Sequence, residues 1–513
     1  MTTTPEPPLA VDGREHRLHP WSWLFVLLQQ LRQFVVPLLV LLFLGRGERY
    51  ELVPLAGIPV LALLSVWQYF TYRYVVQADS LLVRSGLFER SLRHIPFARI
   101  HNVAVHQSLL HRLFGVAEVR LESAGGEKPE AQMRVLRLRE ALALERLIRH
   151  RSQAPSAAPG GDAMAAQAGR ADGAGDPDEG ETLLALGTAE VLRLGLVSNR
   201  GMVVVAGAFA LAWQVVPERA MRAAMHDTGA AVFGYARALV PGLVAQAAVL
   251  VAAGLVAVLL LRLLSVLLAL VQYHGFTLRQ QGRRLTVERG LLTRLRTSAS
   301  RRRIQSWTLH EGLLHRLLRR RALAVETAVA ERGDDPRALR EVAPIATVGN
   351  CDDLLRRLLP GVAWPPPHWR PLDRRAWLRL AWPGVLLALL VSVPAAWVWG
   401  APGLLAWLWM PWAVLAARQH AARAGYSLDA RLFAVRAGWW TRHWRVVELD
   451  KVQSLQLRRS PADRWFGTAS LWLDTAGAGA LAPPLRVHLL PRDEARRLYA
   501  AIATDVAARP LRW

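Results

Sequence analysis

VRSGLFERSLRHIPFARIHNVAVHQSLLHRLFGVAEVRL, residues 83–121, is the first of three related segments in this chain. The second, VERGLLTRLRTSASRRRIQSWTLHEGLLHRLLRRRALAV, covers residues 287–325, and the third, VRAGWWTRHWRVVELDKVQSLQLRRSPADRWFGTASLWL, covers residues 435–473. Aligned without gaps, they share a glycine, three basic positions and one aliphatic position: Gly86, Gly290 and Gly438; Arg90, Arg294 and Arg442; Arg99, Arg303 and Lys451; Ile100, Ile304 and Val452; Arg112, Arg316 and Arg464. Self-similarity on this scale indicates one structural unit used three times.

A pair of long apolar stretches precedes each copy. Because about 20 apolar residues cross a bilayer as a helix, we predict six membrane spans in three hairpin pairs: roughly 22–44 and 52–72, 199–216 and 245–272, and 378–398 and 402–418. The chain of 513 residues is 52% apolar and still carries a formal charge of +24. That combination is typical of a membrane protein with basic cytoplasmic parts. A nucleic-acid-binding protein would not need such apolar runs, so no nucleic-acid partner is expected.

The segments after each pair are basic. Residues 73–151 contain 14 Lys and Arg against 8 Asp and Glu, residues 274–375 contain 21 against 10, and residues 418–513 contain 16 against 8. Positively charged flanks stay in the cytoplasm, so both termini and all three repeats are predicted to be cytoplasmic. The N-terminus lacks the pattern of a cleaved signal peptide.

Short alternating runs separated by glycine-bearing turns predict a β-rich unit. In the first copy we predict a hairpin around Gly86, three further strands, a helical turn and a closing amphipathic helix, at residues 80–84, 87–92, 100–105, 116–122, 133–138, 109–114 and 139–151. Arg319 replaces the glycine that ends this helical turn in the other copies, and Pro461 begins a pair that replaces two leucines. Distorted turns are therefore predicted in copies two and three.

The helix pair followed by R-x-G, a basic residue before Ile or Val, and a later L-L-x-R-x-x-G element resemble the membrane-flanked bacterial pleckstrin-homology-like (PH-like) domain. Three copies in this order are similar to the YdbT family of bacterial membrane proteins. The resemblance implies an α+β membrane protein, with three small PH-like split β-barrels each capped by a C-terminal helix. It also implies a bacterial inner-membrane location and partnership with a smaller one-repeat protein of the same type, and it supplies no catalytic residues.

The predicted organisation alternates membrane pairs and modules. An N-terminal tail (1–17), membrane pair 1 (18–72), PH-like domain 1 (73–151), a flexible linker (152–181), membrane pair 2 (182–273), PH-like domain 2 (274–360), a Pro-rich linker (361–372), membrane pair 3 (373–420) and PH-like domain 3 (421–508) follow in order. The linker at 152–181 is rich in Ala, Gly and Pro, which is typical of a flexible tether.

The recurring basic residues are the candidate functional residues. A cationic surface near an anionic leaflet gains about 1 kcal/mol per Lys or Arg, so contact with lipid or a partner is one hypothesis for Arg90, Arg99, Arg294, Arg301, Arg302, Arg303, Arg442 and Lys451. The alternative is a structural role, in which an arginine fork binds carbonyls or carboxylates. We favour that role for Arg112, Arg316 and Arg464, and we expect the three glycines to be structural as well.

Polar residues interrupt two predicted spans: Gln29, Arg32, Gln33 and Arg262. Intramembrane charges are often functional, so a transporter or exporter that uses these residues is an alternative function. An interfacial or packing role is the other interpretation, and it is the one we favour.

No catalytic constellation is visible, since the chain has no P-loop, GxSxG or HExxH motif and only one cysteine, Cys351. No cofactor or metal is therefore expected. We predict a non-enzymatic inner-membrane scaffold that presents three cytoplasmic modules for protein assembly, anionic phospholipid contact or both, in support of envelope stress or antimicrobial resistance. Homo-oligomers, or complexes with a one-repeat PH-like membrane protein, are the expected assemblies.

Overall fold

In the computed structural model, the described residues are 15–28, 63, 66–67, 69–77, 79–85, 91–97, 100–123, 131–151, 180–216, 218–239, 242–327, 339–373, 375–400, 407–475 and 485–508. The chain divides into two compact units, residues 1–298 and residues 299–513. The boundary falls inside the second repeat, so the units and the repeats do not coincide.

Repeat 1 begins with a four-stranded antiparallel sheet. Its strands, in spatial order, are β1 (Glu15–Arg17), β2 (Arg73–Val76), β3 (Ser80–Ser85) and β4 (Ser91–Pro96). Strand β1 lies before the first predicted membrane pair, whereas β2 lies after it. Two strands that are separated in sequence by the first predicted membrane pair are therefore neighbours in one sheet.

The rest of repeat 1 is a three-stranded antiparallel arrangement with two helices. Its elements are β5 (Ile100–Gln107), α1 (Leu109–Leu113), β6 (Val116–Ser123), β7 (Ala131–Arg137) and α2 (Leu138–Arg151). One hydrophobic core takes side chains from both sheets and from α2, including Tyr74, Leu81, Val103, Leu121 and Leu144, all 2% exposed or less. Two sheets that share a core with a closing helix match the expected PH-like unit.

The helices between repeats 1 and 2 depart from a simple pair of spans. They are α3 (Thr188–Val197), α4 (Arg200–Val215), α5 (Glu218–Leu239) and α6 (Leu243–Tyr273). Helices α3 and α4 meet at a bend of 52°. Helix α5 was not predicted, because Glu218, Arg222 and Asp227 dilute its apolar residues.

Repeat 2 is divided between the two units. Its first four strands are β8 (Glu181–Ala185), β9 (Thr277–Gln281), β10 (Arg284–Arg289) and β11 (Arg294–Ser300). Its remaining elements are β12 (Ile304–Glu311), α7 (Leu313–Leu317), β13 (Arg320–Thr327), β14 (Glu341–Thr347) and α8 (Val348–Leu358).

Repeat 3 has the same order of strands, short helix and closing helix, with two long helices after its first strand, and it lies entirely in the second unit. Its elements are β15 (Arg370–Pro371), α9 (Ala376–Trp399), α10 (Trp409–Arg423), β16 (Gly425–Leu428), β17 (Leu432–Ala437), β18 (Arg442–Glu448), β19 (Val452–Arg458), α11 (Pro461–Trp465), β20 (Thr468–Thr475), β21 (Arg486–Pro491) and α12 (Arg492–Ala508). Its core again combines both sheets with the closing helix, as Phe433, Leu471 and Ile502 show.

The sheets run from one repeat into the next. The first seven-stranded sheet has the order β7-β6-β5-β11-β10-β9-β8, and the second has the order β14-β13-β12-β18-β17-β16-β15. The three-stranded sheet β19-β20-β21 completes repeat 3. Twice, therefore, the first strand of one repeat's second sheet pairs with the last strand of the next repeat's first sheet.

The prediction of six spans is supported only in part. Among the described residues, two helices are long and apolar enough to cross a membrane, Val244–Tyr273 and Ala376–Val398, and the bent pair α3–α4 would make a third. Most of the first predicted pair and residues 401–406 lie outside the described residues. Helix α10 has only 15 residues and three charged or histidine side chains, so by itself it is too short and polar to count as a span.

The prediction of distorted helical turns is wrong. Helices α7 and α11 each have five residues, as α1 has. Arg319 adopts the left-handed backbone of the glycine that it replaces, with φ +52° against +64° for Gly115 and +68° for Gly467. Pro461 occupies the first helical position, where a missing backbone N–H costs nothing.

Candidate functional site

The joint between repeats 2 and 3 is formed by antiparallel pairing of β12 and β18. The register places Ser306 opposite Val447 and Glu311 opposite Arg442. Seven of the eight residues of β12 are buried, and no residue of β18 is exposed. Both strands are thus interior strands of a continuous sheet.

A buried ion pair crosses this joint. Arg445 of β18 donates to the hydroxyl of Ser306, 3.2 Å away, and to the carboxylate of Glu326 on β13. The side chains of Arg445 and Glu326 are only 3% and 14% exposed. Burial lowers the pKa of Arg445, and the nearby Glu326 carboxylate opposes that shift. Since a buried charge is costly without its partner, the pair favours this register.

Two basic residues that were candidates for lipid or partner contact lie at the same joint. Arg442 is 3.3 Å from Glu311 of β12, and Lys451 donates to the backbone carbonyl of Arg302 at 2.7 Å. Their partners belong to the neighbouring repeat.

Each repeat has one five-residue helix, α1, α7 or α11, which we call the short helix. Its recurring arginine contacts the following repeat in repeats 1 and 2. Arg112 donates to the carbonyl of Leu291 at 2.7 Å, and Arg316 donates to the carbonyl of Trp439 at 3.4 Å. Each acceptor follows the turn glycine, Gly290 or Gly438. The carbonyls that these two arginines bind belong to the hairpin turn of the next repeat.

Steric constraints explain why Gly290 and Gly438 occupy the hairpin turns. At Gly290 and Gly438, φ is +114° and +91°. A Cβ atom there would lie 1.9 Å and 1.8 Å from the carbonyl oxygens of Thr293 and Thr441. Only glycine fits such a turn.

Exposed apolar side chains recur beside these contacts. The last residues of the short helices, Leu113, Leu317 and Trp465, are 78%, 79% and 84% exposed. The hairpin turns carry a second exposed set, Leu291, Leu292 and Trp440. We call these six residues the apolar rim.

Residues of the short helices and hairpin turns contact the predicted membrane segments in repeats 1 and 3. In repeat 1, the ring of Trp21, at the start of the first predicted span, is 4.9 Å from the ring of Phe114, which follows α1. In repeat 3, Arg379 of the membrane helix α9 is 3.6 Å from Asp463 of α11. The ring of Trp440 is 5.6 Å from that of Trp412 on α10. Tryptophans in such a position are typical of the membrane–water interface.

Repeat 2 adds a cationic cavity of about 480 Å³. It is lined by Glu311, Arg316, Arg319, Arg320, Arg321, Thr347 at the end of β14 and the first two residues of α8, Val348 and Gly349. Arg321 is held by Glu311 at 2.8 Å. Arg319 is exposed at the edge of this cavity, and its backbone has a positive φ of +52°.

Other predicted site residues fall elsewhere. Arg294 is exposed and lies 3.5 Å from Glu288 of its own repeat. Arg301, Arg302 and Arg303 form a short 3₁₀ helix before β12, and burial lowers the pKa of Arg303 to about 10. The remaining residues lie outside the described part of the chain: Gly86, Arg90, Arg99, Gln29, Arg32 and Gln33.

Arg262 of α6 is hydrogen-bonded to the segment that joins α3 and α4. Its guanidinium donates to the carbonyls of Leu196 and Ser198, at 3.2 Å and 3.0 Å, and to the side chain of Asn199 at 3.1 Å. These acceptors lie at the bend between α3 and α4, where helical carbonyls lose their normal partners.

Chemical groups for catalysis are sparse in the described residues. They contain no group of three or more His, Cys, Asp or Glu side chains able to hold a metal ion. Cys351 is buried, and burial raises the pKa of its thiol to about 12, which makes it a poor nucleophile.

Sequence comparisons identify the repeated unit. The Bacterial PH domain family model matches residues 24–152, 235–360 and 378–506, so the chain belongs to this family and contains three copies of its domain. The UPF0699 transmembrane protein YdbT of Bacillus subtilis (strain 168) is 21% identical over 392 residues, which cover 74% of this chain and 76% of that protein. No solved structure matches the chain. The resemblance inferred from the repeats is confirmed: the chain is a membrane protein similar to YdbT.

Proposed function

We propose that this protein is a non-enzymatic scaffold of the bacterial inner membrane, which holds three PH-like modules edge to edge on the cytoplasmic face for protein assembly. The observation that carries the proposal is the use of the same sheet edges at both joints. A strand edge that pairs with a neighbour supplies a row of backbone hydrogen bonds, which is a general mode of protein association.

Strand pairing also supports a common side for the modules. Strands β1 and β2, β8 and β9, and β15 and β16 pair with each other, although predicted membrane helices separate the members of each pair. Paired strands lie on one side of the bilayer, so an even number of crossings must separate them. The basic composition of the modules assigns that side to the cytoplasm.

Thiol accessibility tests this location. Leu113, Leu317 and Trp465 would be replaced by cysteine one at a time in a Cys351→Ala chain. A membrane-impermeant maleimide should label all three in inverted vesicles and none in intact cells. Labelling of any of them from outside the cell would contradict the proposal.

Assembly is tested by the size of the complex in its own membrane. Membrane patches would be extracted as native nanodiscs, and the number of tagged chains in each would be counted by single-molecule photobleaching. We expect more than one chain, or one chain with a stoichiometric protein partner. A single chain with no partner protein would contradict the scaffold function.

Anionic phospholipid contact is a second candidate, which the apolar rim and the cationic cavity favour. Leu317 and Arg319 lie two residues apart, so an apolar side chain and a cation could reach the headgroup layer together. A polarity-sensitive dye at Leu317→Cys would be compared in nanodiscs with and without phosphatidylglycerol, with Tyr499→Cys on α12 as the control. A blue shift that anionic lipid does not increase would contradict lipid contact.

A transporter role has weaker support. Arg262, the one described member of the predicted polar pathway, is engaged by the bend between α3 and α4.

A further inference from the structure

Among the described residues, two strands lack the neighbour that their counterparts have in the other repeats. Strand β4 corresponds to β11 and β18, which pair with a preceding repeat, and β19 corresponds to β5 and β12, which pair with a following repeat. In the described part of the chain, β4 and β19 each end their sheet. In the first repeat, the sheet edge that would pair with a preceding repeat is thus open. In the third repeat, the sheet edge that would pair with a following repeat is open.

The burial of these strands agrees with open edges. In β19 only Val452 is buried, whereas Gln453, Ser454, Gln456 and Arg458 are exposed. In β4, Leu92 is 65% exposed, and Arg93 and His94 are exposed as well. Of the counterparts, β12 has seven of its eight residues buried, and β18 has three buried residues and none that is exposed.

The chemistry of the joint between repeats 2 and 3 recurs on the two open edges. Ser454 of β19 pairs with Asp474 of β20, just as Ser306 pairs with Glu326. Arg93 pairs with Val83 in repeat 1, just as Arg445 pairs with Val435 in repeat 3. One edge therefore carries the acceptors of the buried ion pair, and the other edge carries the arginine.

This combination is not a general property of the repeats. At the position of Arg445, the second repeat has the buried Thr297. The arginine and its acidic acceptor site thus occur at one internal joint and at the two open edges.

The recurring arginine of the short helix in repeat 3 differs from its counterparts. Arg112 and Arg316 each bind a hairpin-turn carbonyl of the next repeat. Their counterpart Arg464 is exposed, and its guanidinium has no hydrogen-bond acceptor among the residues that the structure describes.

We propose that β19 of one copy pairs with β4 of a second copy of this chain, with Arg93 binding the Ser454–Asp474 site, so that the copies join head to tail within the membrane. Aligning the register of β12 and β18 onto the two edges places Leu457 opposite Leu92 and Gln456 opposite Arg93. Such heterologous contacts form a ring if the rotation closes and an open row if it does not. The inference rests on the proposed scaffold function and names its partner as another copy.

The test uses the full chain in a Cys351→Ala background, as two differently tagged pools reconstituted in the same liposomes. One pool carries Leu92→Cys and the other carries Leu457→Cys. Mild oxidation should link the two tags. The matched control pairs Leu92→Cys with Gln456→Cys, whose side chain points to the opposite face of the strand, and should give little product.

Charge reversal makes the test specific. Arg93→Glu, added to the Leu92→Cys chain, should lower the yield at least about tenfold because like charges then face each other. Asp474→Arg in the Leu457→Cys chain should restore most of it. Arg497→Glu, at an exposed position on α12, should leave the yield unchanged.

Each contrary outcome is informative. Equal yields with Leu457→Cys and Gln456→Cys, or no rescue by the reversed pair, would overturn the inference. If native nanodiscs contain several chains or a partner protein but the edge cysteines do not react, this edge contact is wrong and the scaffold proposal stands. If the nanodiscs contain a single chain without a partner, both proposals fail.

Discussion

Removal of Glu326 should open the joint between repeats 2 and 3. In Glu326→Ala, the guanidinium of Arg445 keeps Ser306 as its hydrogen-bond partner but loses its ion pair, and its side chain is only 3% exposed in the original geometry. Breaking a buried pair on one side costs about 3–5 kcal/mol. Since about 1.4 kcal/mol corresponds to a factor of ten, amide protection in β12 and β18 should fall by roughly two to three and a half orders of magnitude.

Hydrogen exchange measured by mass spectrometry on the full chain in nanodiscs would detect this change. The matched control is Asp353→Ala, which removes an exposed ion pair to Arg356 at 2.6 Å. Exposed pairs contribute about 0–1 kcal/mol, so its exchange should change by less than about fivefold. The double replacement Glu326→Leu with Arg445→Met removes both charges and should recover most of the protection.

Two results would refute this reasoning. The first is equal exchange of β12 and β18 in Glu326→Ala and Asp353→Ala. The second is a double replacement no better protected than Glu326→Ala, because the loss would then not come from an unpaired buried charge.

Three further outcomes are expected. Arg319→Gly should raise the free energy of unfolding by about 0.5–1 kcal/mol, because it relieves a left-handed φ of +52°; a lower melting temperature would contradict this. Gly438→Ala should destabilise the protein by more than about 2 kcal/mol because its Cβ would overlap the carbonyl oxygen of Thr441. The control Gly349→Ala, at a position with open space around it, should be neutral or stabilising by up to about 1 kcal/mol. Equal shifts of the melting temperature in the two variants would refute this steric explanation. Burial lowers the pKa of His315 and of His443 to about 4, so the folded state binds fewer protons than the unfolded state between pH 6.5 and 4. Stability of the joint is therefore present above pH 6.5 and lost as the pH falls towards 4, by at most about 1.4 kcal/mol per pH unit for each group; His443→Gln should flatten the profile measured by exchange at β18, and an unchanged profile would contradict the assignment.

The elements of each repeat could be predicted from local patterns. The glycine turns, the alternation in residues such as Val103 and Val105, and the spacing of Leu144 and Ile148 all depend on near neighbours. Strands β1 and β15 escaped prediction because three residues, or the dipeptide Arg370–Pro371, are too short to show a period.

The candidate site could be predicted only in part, because it depends on residues far apart in the chain. The recurrence of Arg112 and Arg316 indicated a structural contact, but nothing local showed that the acceptor lies in the next repeat. Arg445 and Glu326 were missed for the same reason. The aligned copies do hold a signal: Arg93 occupies the position of Arg445, and Asp474 that of Glu326.

Disulfide formation across the joint between repeats 2 and 3 tests the central claim most directly, namely that adjacent modules share continuous sheets. His310 and His443 are directly opposite each other in β12 and β18, and opposed residues in antiparallel strands have Cα separations of about 4.5–5.5 Å, which a disulfide can bridge. With Cys351→Ala, the pair His310→Cys and His443→Cys should close rapidly on mild oxidation of the full chain in membranes. The pair His310→Cys and Trp444→Cys, on opposite faces, should not. Failure of the first pair, or equal rates for both, would contradict the shared sheet.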